Sequence, residues 1–235
     1  MTIPGELDFV LDLLGYEWPN VDEDAVSDAA QLLRGLESDL RTTLDELEMR
    51  VNELGDGAKA QSVNALIRAW TDNRTANMDA VLDALPEVAN GIDLLADAIV
   101  GLKMKVIAEL TITAAQIAAA AATAVVTGGL SVVGNAALIA ARKKALDIAT
   151  DIAMDEVIGQ VASMVIEPLT GTITELAMSI AEAPIVTDGE ATAGTQLSYD
   201  LMEQIATALS DCGADQYDLC ATFAADVSAL PLFAS

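Results

Sequence analysis

The sequence predicts an all-α protein built as a long antiparallel helical hairpin packed with an Ala-rich helical bundle, and three observations predict it. Ala, Leu, Ile, Val and Met dominate a chain of 235 residues that is 53% hydrophobic. Aromatic residues, which favour sheets, make up only 3%. Apolar positions recur at steps of three and four, the repeat of one helix face rather than the alternation of a strand. A chain of this length can bury a substantial core.

The elements follow in order. A short first helix is expected from near Pro4 to Leu14, with Leu7, Val10, Leu11 and Leu14 on one face and Pro19 ending any continuation. Asp22, Glu23 and Asp24 then supply an N-cap and a negatively charged first turn for the next helix, where unpaired amide donors and the macrodipole favour acids. From there Val26, Ala29, Leu33, Leu36, Leu40, Leu44, Leu47, Val51 and Leu54 form one continuous stripe. The stripe stops at Leu54-Gly55-Asp56-Gly57, where Gly55 and Gly57 can take left-handed conformations and reverse the chain.

The second arm carries Val63, Ile67, Trp70, Val81, Leu85, Val88, Ile92, Leu95, Ile99 and Leu102, with near-heptad spacing from Val81 onward. Together the arms make a hairpin over residues 22–102, and Pro86 should kink or split the second of them. An apolar helical segment follows over 106–141. Within it, Leu110 to Ala141 hold 32 residues without a charge, twelve of them alanine, and Gly128-Gly129 divides them into two expected helices. Lys103 and Lys105 stand before this stretch and Arg142, Lys143 and Lys144 after it. Small alanines suit a helix pair inside a bundle; the length and the basic flanks also fit conditional membrane insertion.

Another amphipathic helix is expected from about Leu146 to Glu167-Pro168 and a shorter one from Ile173 to Ala181. Residues 183–195 have the Pro, Gly, Thr and acid content of a linker. Residues 196–235 read as an acidic pair of short helices, near Gln196 to Ser210 and Gln216 to Leu230, joined at Cys212-Gly213.

Charge and composition narrow the functions. The chain carries 11 Lys and Arg against 37 Asp and Glu, a net charge of -26, and such a surface repels nucleic acid and anionic membranes. The excess is uneven: Lys144 is the last basic residue and 15 acids follow it. With no histidine, Ser-His and Cys-His nucleophile pairs, HExxH metal sites and histidine proton transfer are excluded. Cys212 and Cys220 form no CxxC motif, and two readings stay open for them: a disulfide outside the cell, or two thiols acting as small apolar residues. No catalytic, metal or cofactor-binding constellation emerges, since the many carboxylates lie in solvated helix patterns without a pocket to shift them. The first ten residues, "MTIPGELDFV", have no basic n-region and no apolar h-region, so no general-secretion signal is expected there.

Residues 13–24, "LLGYEWPNVDED", pair a short apolar helix with Glu17-Trp18-Pro19 and the acids Asp22, Glu23 and Asp24. This element, followed by a hairpin and an Ala-rich helical region, resembles the WXG-like N-terminal domain of actinobacterial polymorphic and channel-forming toxins exported by type VII (ESX) secretion. The match is close at the start, and a looser likeness in helix order reaches about residue 182, giving a WXG-like domain over 1–182. The chain departs from the wider family at the hairpin turn, where Leu54-Gly55-Asp56-Gly57 stands in place of Trp-X-Gly. That departure fits the larger toxin leader better than the small secreted dimer.

Substrates of this pathway also resemble one another in a Tyr-X-X-X-Asp/Glu export signal, and Tyr199 to Glu203 fits it, with the two residues one turn apart on a helix. The ordinary alternative is a solvated helix face. The resemblance implies a non-enzymatic export and interaction domain that meets a protein partner, either the secretion machinery or a small helical protein, with a homo-oligomer left open. It implies secretion or display at the cell surface by a route without a signal peptide, after a cytoplasmic stage. Two alternatives belong to other classes: a membrane-inserting pore formed by residues 110–141, and a stand-alone scaffold or chaperone-like partner. Trp18 would be a lid folding the first helix onto the hairpin, or an exposed anchor for a partner.

Overall fold

A computed structural model describes residues 1–57, 61–127, 139–147 and 199–233, together with residues 159, 163, 170 and 171. The protein is all-α. A 3-10 turn, Gly5–Leu7, leads into α1, Asp8–Leu14; α2 spans Glu23–Gly57 and α3 Gln61–Asn73. A π-helical segment, Arg74–Met78, joins α3 to α4, Asp79–Thr127; residues 139–147 form α5, and α6 spans Tyr199–Ala229. The chain divides into two compact units. One comprises Met1–Ser27, Ile92–Ala162 and Pro231–Ser235, the other Asp28–Gly91 and Ser163–Leu230.

In the first unit, α1 buries the predicted face. Leu7, Val10, Leu11 and Leu14 join Val106 and Leu110 of α4 and Leu146 of α5 in one core cluster. Gly15, not Pro19, ends α1. It takes the left-handed conformation (φ 58°, ψ 40°); its N–H donates to the Asp12 carbonyl at 3.1 Å and the Tyr16 N–H to the Leu11 carbonyl at 3.2 Å. Those two bonds make a Schellman cap, which stops the helix before the proline can act.

In the second unit, the two hairpin arms run antiparallel. The Arg74 guanidinium bonds to Asp45, that of Arg41 to Asp83 and that of Arg34 to Asn90, so partners on α2 recede as the second arm advances. Arg74 is buried and also pairs with Glu48 at 2.9 Å, pinning the π-helical segment to α2. The interruption of the second arm falls there rather than at Pro86, which lies inside α4. Proline removes only the bond to the Leu82 carbonyl, and burial of Leu82 and Ala89 on either side favours continuing the helix. Leu54, Gly55 and Gly57 belong to the last turn of α2, so the helix runs past the expected start of the reversal; residues 58–60 lie outside the described residues.

Two further points concern helix continuity. α4 crosses residues 102–106 without a break, because Leu102 and Val106 are both buried and no glycine or proline intervenes. Residues 199–229 form a single helix rather than a pair joined at Cys212-Gly213. Ile205 and Cys212 are buried along α6, and Cys212 shares a cluster with Leu47 and Val51 of α2. That packing offsets the roughly 1 kcal/mol a mid-helix glycine costs. Gly213 makes no close approach, since a Cβ there would meet nothing within 4 Å. The Gly128-Gly129 turn, the helices expected over 148–181 and the linker over 183–195 fall outside the described residues, apart from isolated positions.

The N-terminal joint and the candidate export face

The joint between α1 and α2 is built from residues 15–24. Tyr16 and Trp18 are half-buried and pack against the first unit's core cluster, so both aromatics fold α1 down onto α4. After Pro19 the chain is extended. Val21 forms an isolated antiparallel bridge with Phe233, and the Asp22 N–H donates to the Leu232 carbonyl at 2.9 Å. The C-terminal tail therefore satisfies backbone that the proline leaves outside any helix. Asp22 is the N-cap: its Oδ1 accepts from the N–H groups of Asp24 at 3.0 Å and Ala25 at 3.3 Å. Asp24 stays exposed in the first turn, as the macrodipole favours.

Glu23 has a different role. It is buried, and its carboxylate accepts from the buried Lys103 ammonium and from the N-terminal ammonium. Lys103 Nζ also donates to the Val21 carbonyl at 2.7 Å and the Met1 carbonyl at 3.4 Å. Burial alone would raise the Glu23 pKa. The hydrogen bonds from Lys103 and the N-terminal amine outweigh it and hold the carboxyl at about 2, against an ordinary 4.5. The folded pKa is the lower one, so this carboxylate stabilises the protein above about pH 4.5, and the gain disappears as pH falls toward 2. Wild type is therefore expected to lose melting temperature faster than a Glu23→Gln/Lys103→Met variant between pH 5 and pH 2. Parallel loss in thermal melts would refute the assignment.

Two of the other basic residues around the apolar segment also meet groups within the first unit. Arg142 reaches Gln116 at 3.1 Å and Glu109 at 3.4 Å, and Lys143 Nζ donates to the Gly15 carbonyl at 2.9 Å. Three of the five expected membrane-flanking cations are thus engaged with protein groups. No helix among the described residues is long and apolar enough to cross a membrane.

The second expected determinant lies on α6, in the second unit. Tyr199 opens the helix, and Glu203 follows one turn later with its side chain exposed. Glu203 lines a groove of about 800 Å³ between α2 and α6, together with Asp200, Glu46, Asp211 and Asp215, against the single cation Arg50. Nearer the start of α2, a second groove of about 450 Å³ is lined by Leu32, Leu36, Leu219 and Phe223 together with Asp28, Asp39 and Asp226. Among the described residues, no three His, Cys, Asp or Glu side chains converge as they would around a metal ion.

Cys212 is buried and Cys220 exposed, both as free thiols. Eight residues of one helix separate them by about 12 Å along its axis, beyond the reach of a disulfide, so the pairing is ruled out. Burial pushes the Cys212 thiol up, and its Sγ lies 3.7 Å from the Thr43 carbonyl as a donor. Sequence reasoning missed the Glu23–Lys103 pair, although a signal existed. Lys103 stands seven residues from both Ala96 and Leu110, in the register of the buried face.

A long helical hairpin in the second unit and, in the first, an N-terminal joint folded onto α4 define the class, a helical hairpin protein. The model of the WXG100-like domain family matches residues 7–143, more than half of the chain, and the chain belongs to that family. No match was found among curated proteins or among solved structures.

Proposed function

We propose that this chain is a non-enzymatic export and interaction domain of a toxin-like protein secreted by a type VII (ESX) system, recognised by the secretion machinery or by a small helical partner. The observation that carries the reading is the WXG100-like match over residues 7–143, which takes in the joint and both hairpin arms. Tyr199 and Glu203, on the opening turn of α6, supply the candidate export signal. The exposed carboxylate of Glu203 beside an acid-rich groove supports a surface read by a protein rather than a reaction centre. In this reading the protein passes through the cytoplasm, leaves without a cleaved signal and acts outside the cell, and its actinobacterial toxin character follows from the motif in residues 13–24.

Replacing Tyr199 by Ala is expected to lower the secreted fraction at least several-fold while the helical circular dichroism is unchanged. Secretion at the wild-type level would remove Tyr199 from the signal. The engagement of Lys103, Arg142 and Lys143 with protein groups makes the export reading preferable to a pore formed by residues 110–141. Dye release from liposomes at neutral or acidic pH would reverse that preference.

A further inference from the structure

Residues 16–22 belong to no helix, yet their conformation is fixed by groups of the joint itself. Tyr16 and Trp18 pack on the first unit's core cluster, Lys103 Nζ donates to the Val21 carbonyl at 2.7 Å, and the Asp22 carboxylate caps α2. Beside the Asp22 N–H lies an apolar patch made by Val21, Val26, Ile92, Leu95, Ala96 and Ile99. The chain lays its own tail along this edge. The Leu232 carbonyl accepts from the Asp22 N–H at 2.9 Å, Phe233 bridges antiparallel to Val21, and the Leu232 side chain packs against the patch. Burial alternates as in a strand, with Leu232 half-buried and Phe233 72% exposed. Among the described residues the hold is short: an isolated bridge and one aliphatic side chain, where an ordinary strand pair runs for several residues.

We propose that the Val21–Asp22 edge and its apolar patch are a binding site for an extended peptide segment of another protein, and that the tail occupies this site as a tethered stand-in. The tail displays the chemistry the site takes: an uncharged strand that offers a backbone carbonyl to the Asp22 amide and, on the same residue, an aliphatic side chain to the patch. Binding is by strand addition, in which main-chain bonds give affinity and the inward side chain gives selectivity. Tyr16, Trp18, Lys103 and Asp22 shape the edge without the tail, so an incoming segment meets a site already ordered. A tethered segment competes at an effective concentration on the order of millimolar. An untethered segment with the same contacts is therefore shut out, and a longer strand, paired further along residues 19–22, displaces the tail.

The whole chain carrying Leu232→Asp, which sets a carboxylate against the apolar patch and releases the tail, tests this with a synthetic peptide of residues 228–235 as the probe. The variant is expected to keep wild-type helicity and to lose hydrogen-exchange protection at the Asp22 amide by about tenfold or more. It is expected to bind the peptide about tenfold or more tightly than wild type does, because its site is open, and to regain the protection on binding. The peptide carrying the same Leu232→Asp change is expected not to bind. Equal binding to wild type and variant, or binding to neither, overturns the proposal, as does unchanged protection of the Asp22 amide in the variant. Should Leu232→Asp lower the helicity, Leu232→Ala replaces it with the same readouts and the same overturning results. Protection that falls on dilution of wild type would assign the strand to a second copy and overturn the tethered arrangement.

Discussion

Replacing Lys103 by alanine is expected to destabilise the protein by about 3–5 kcal/mol, the range for removing one partner of a buried ion pair. The magnitude follows from what remains. Glu23 has a side-chain exposure of only 7% and would lose its most buried partner, while the Val21 carbonyl would lose its 2.7 Å donor. With only the N-terminal ammonium left beside it, a buried carboxylate must either stay charged at high desolvation cost or take up a proton. Because the cost comes from the orphaned group, Glu23→Gln/Lys103→Met is expected to recover most of it. Urea unfolding of wild type and the two variants measures both quantities. A Lys103→Ala cost below about 1 kcal/mol would place the pair on the surface, where such interactions contribute little.

Leu110→Ala is expected to cost about 2–5 kcal/mol, since the side chain is fully buried between α1 and α5 and its removal leaves a cavity the helices cannot close. Ile112, two residues along the same helix and 45% exposed, provides the internal control, and Ile112→Ala is expected to change stability by no more than about 0.5 kcal/mol. Similar costs for the two substitutions, from denaturant midpoints at equal m-value, would mean that α4 presents a different face to the core.

The two expectations turn on the register of α4, which the sequence shows only approximately. Near-heptad spacing from Val81 onward is visible, and it points to Val81, Leu85 and Val88. Ile99 and Leu102 of that stripe are buried, but the line that runs through the core is Leu82, Ala89, Ala96, Lys103 and Leu110, one residue further on than Val81 and Val88. Val81, Leu85 and Val88 are half-buried at its edge. In an alanine-rich helix neighbouring faces differ little in hydropathy, so a small residue that allows close packing, such as Ala89 or Ala96, looks no more core-like than its neighbours. A lysine in the same line looks like an interruption.

The joint was more legible. Asp22 caps α2 as its residue type and position indicate, and the apolar face of α1 is the one its spacing marks. The candidate export residues remain a pattern in sequence placed on the opening turn of α6.

What the sequence by itself determined about this protein is therefore local: where helices start, which residues cap them, and that a hairpin precedes an apolar helical stretch. Caps, periodicity and turn residues act over about four positions, and every partner they need lies within that window. What only the tertiary structure decided is which distant groups meet. The Leu232 carbonyl accepts from the Asp22 amide, Lys103 is buried against Glu23, and Lys143 reaches back to Gly15. It also decided that α6 stays one helix through Gly213, because packing of Ile205 and Cys212 outweighs a local preference to break. Contacts between residues 80 or more positions apart depend on how whole helices pack, and no stretch of neighbouring residues encodes that choice.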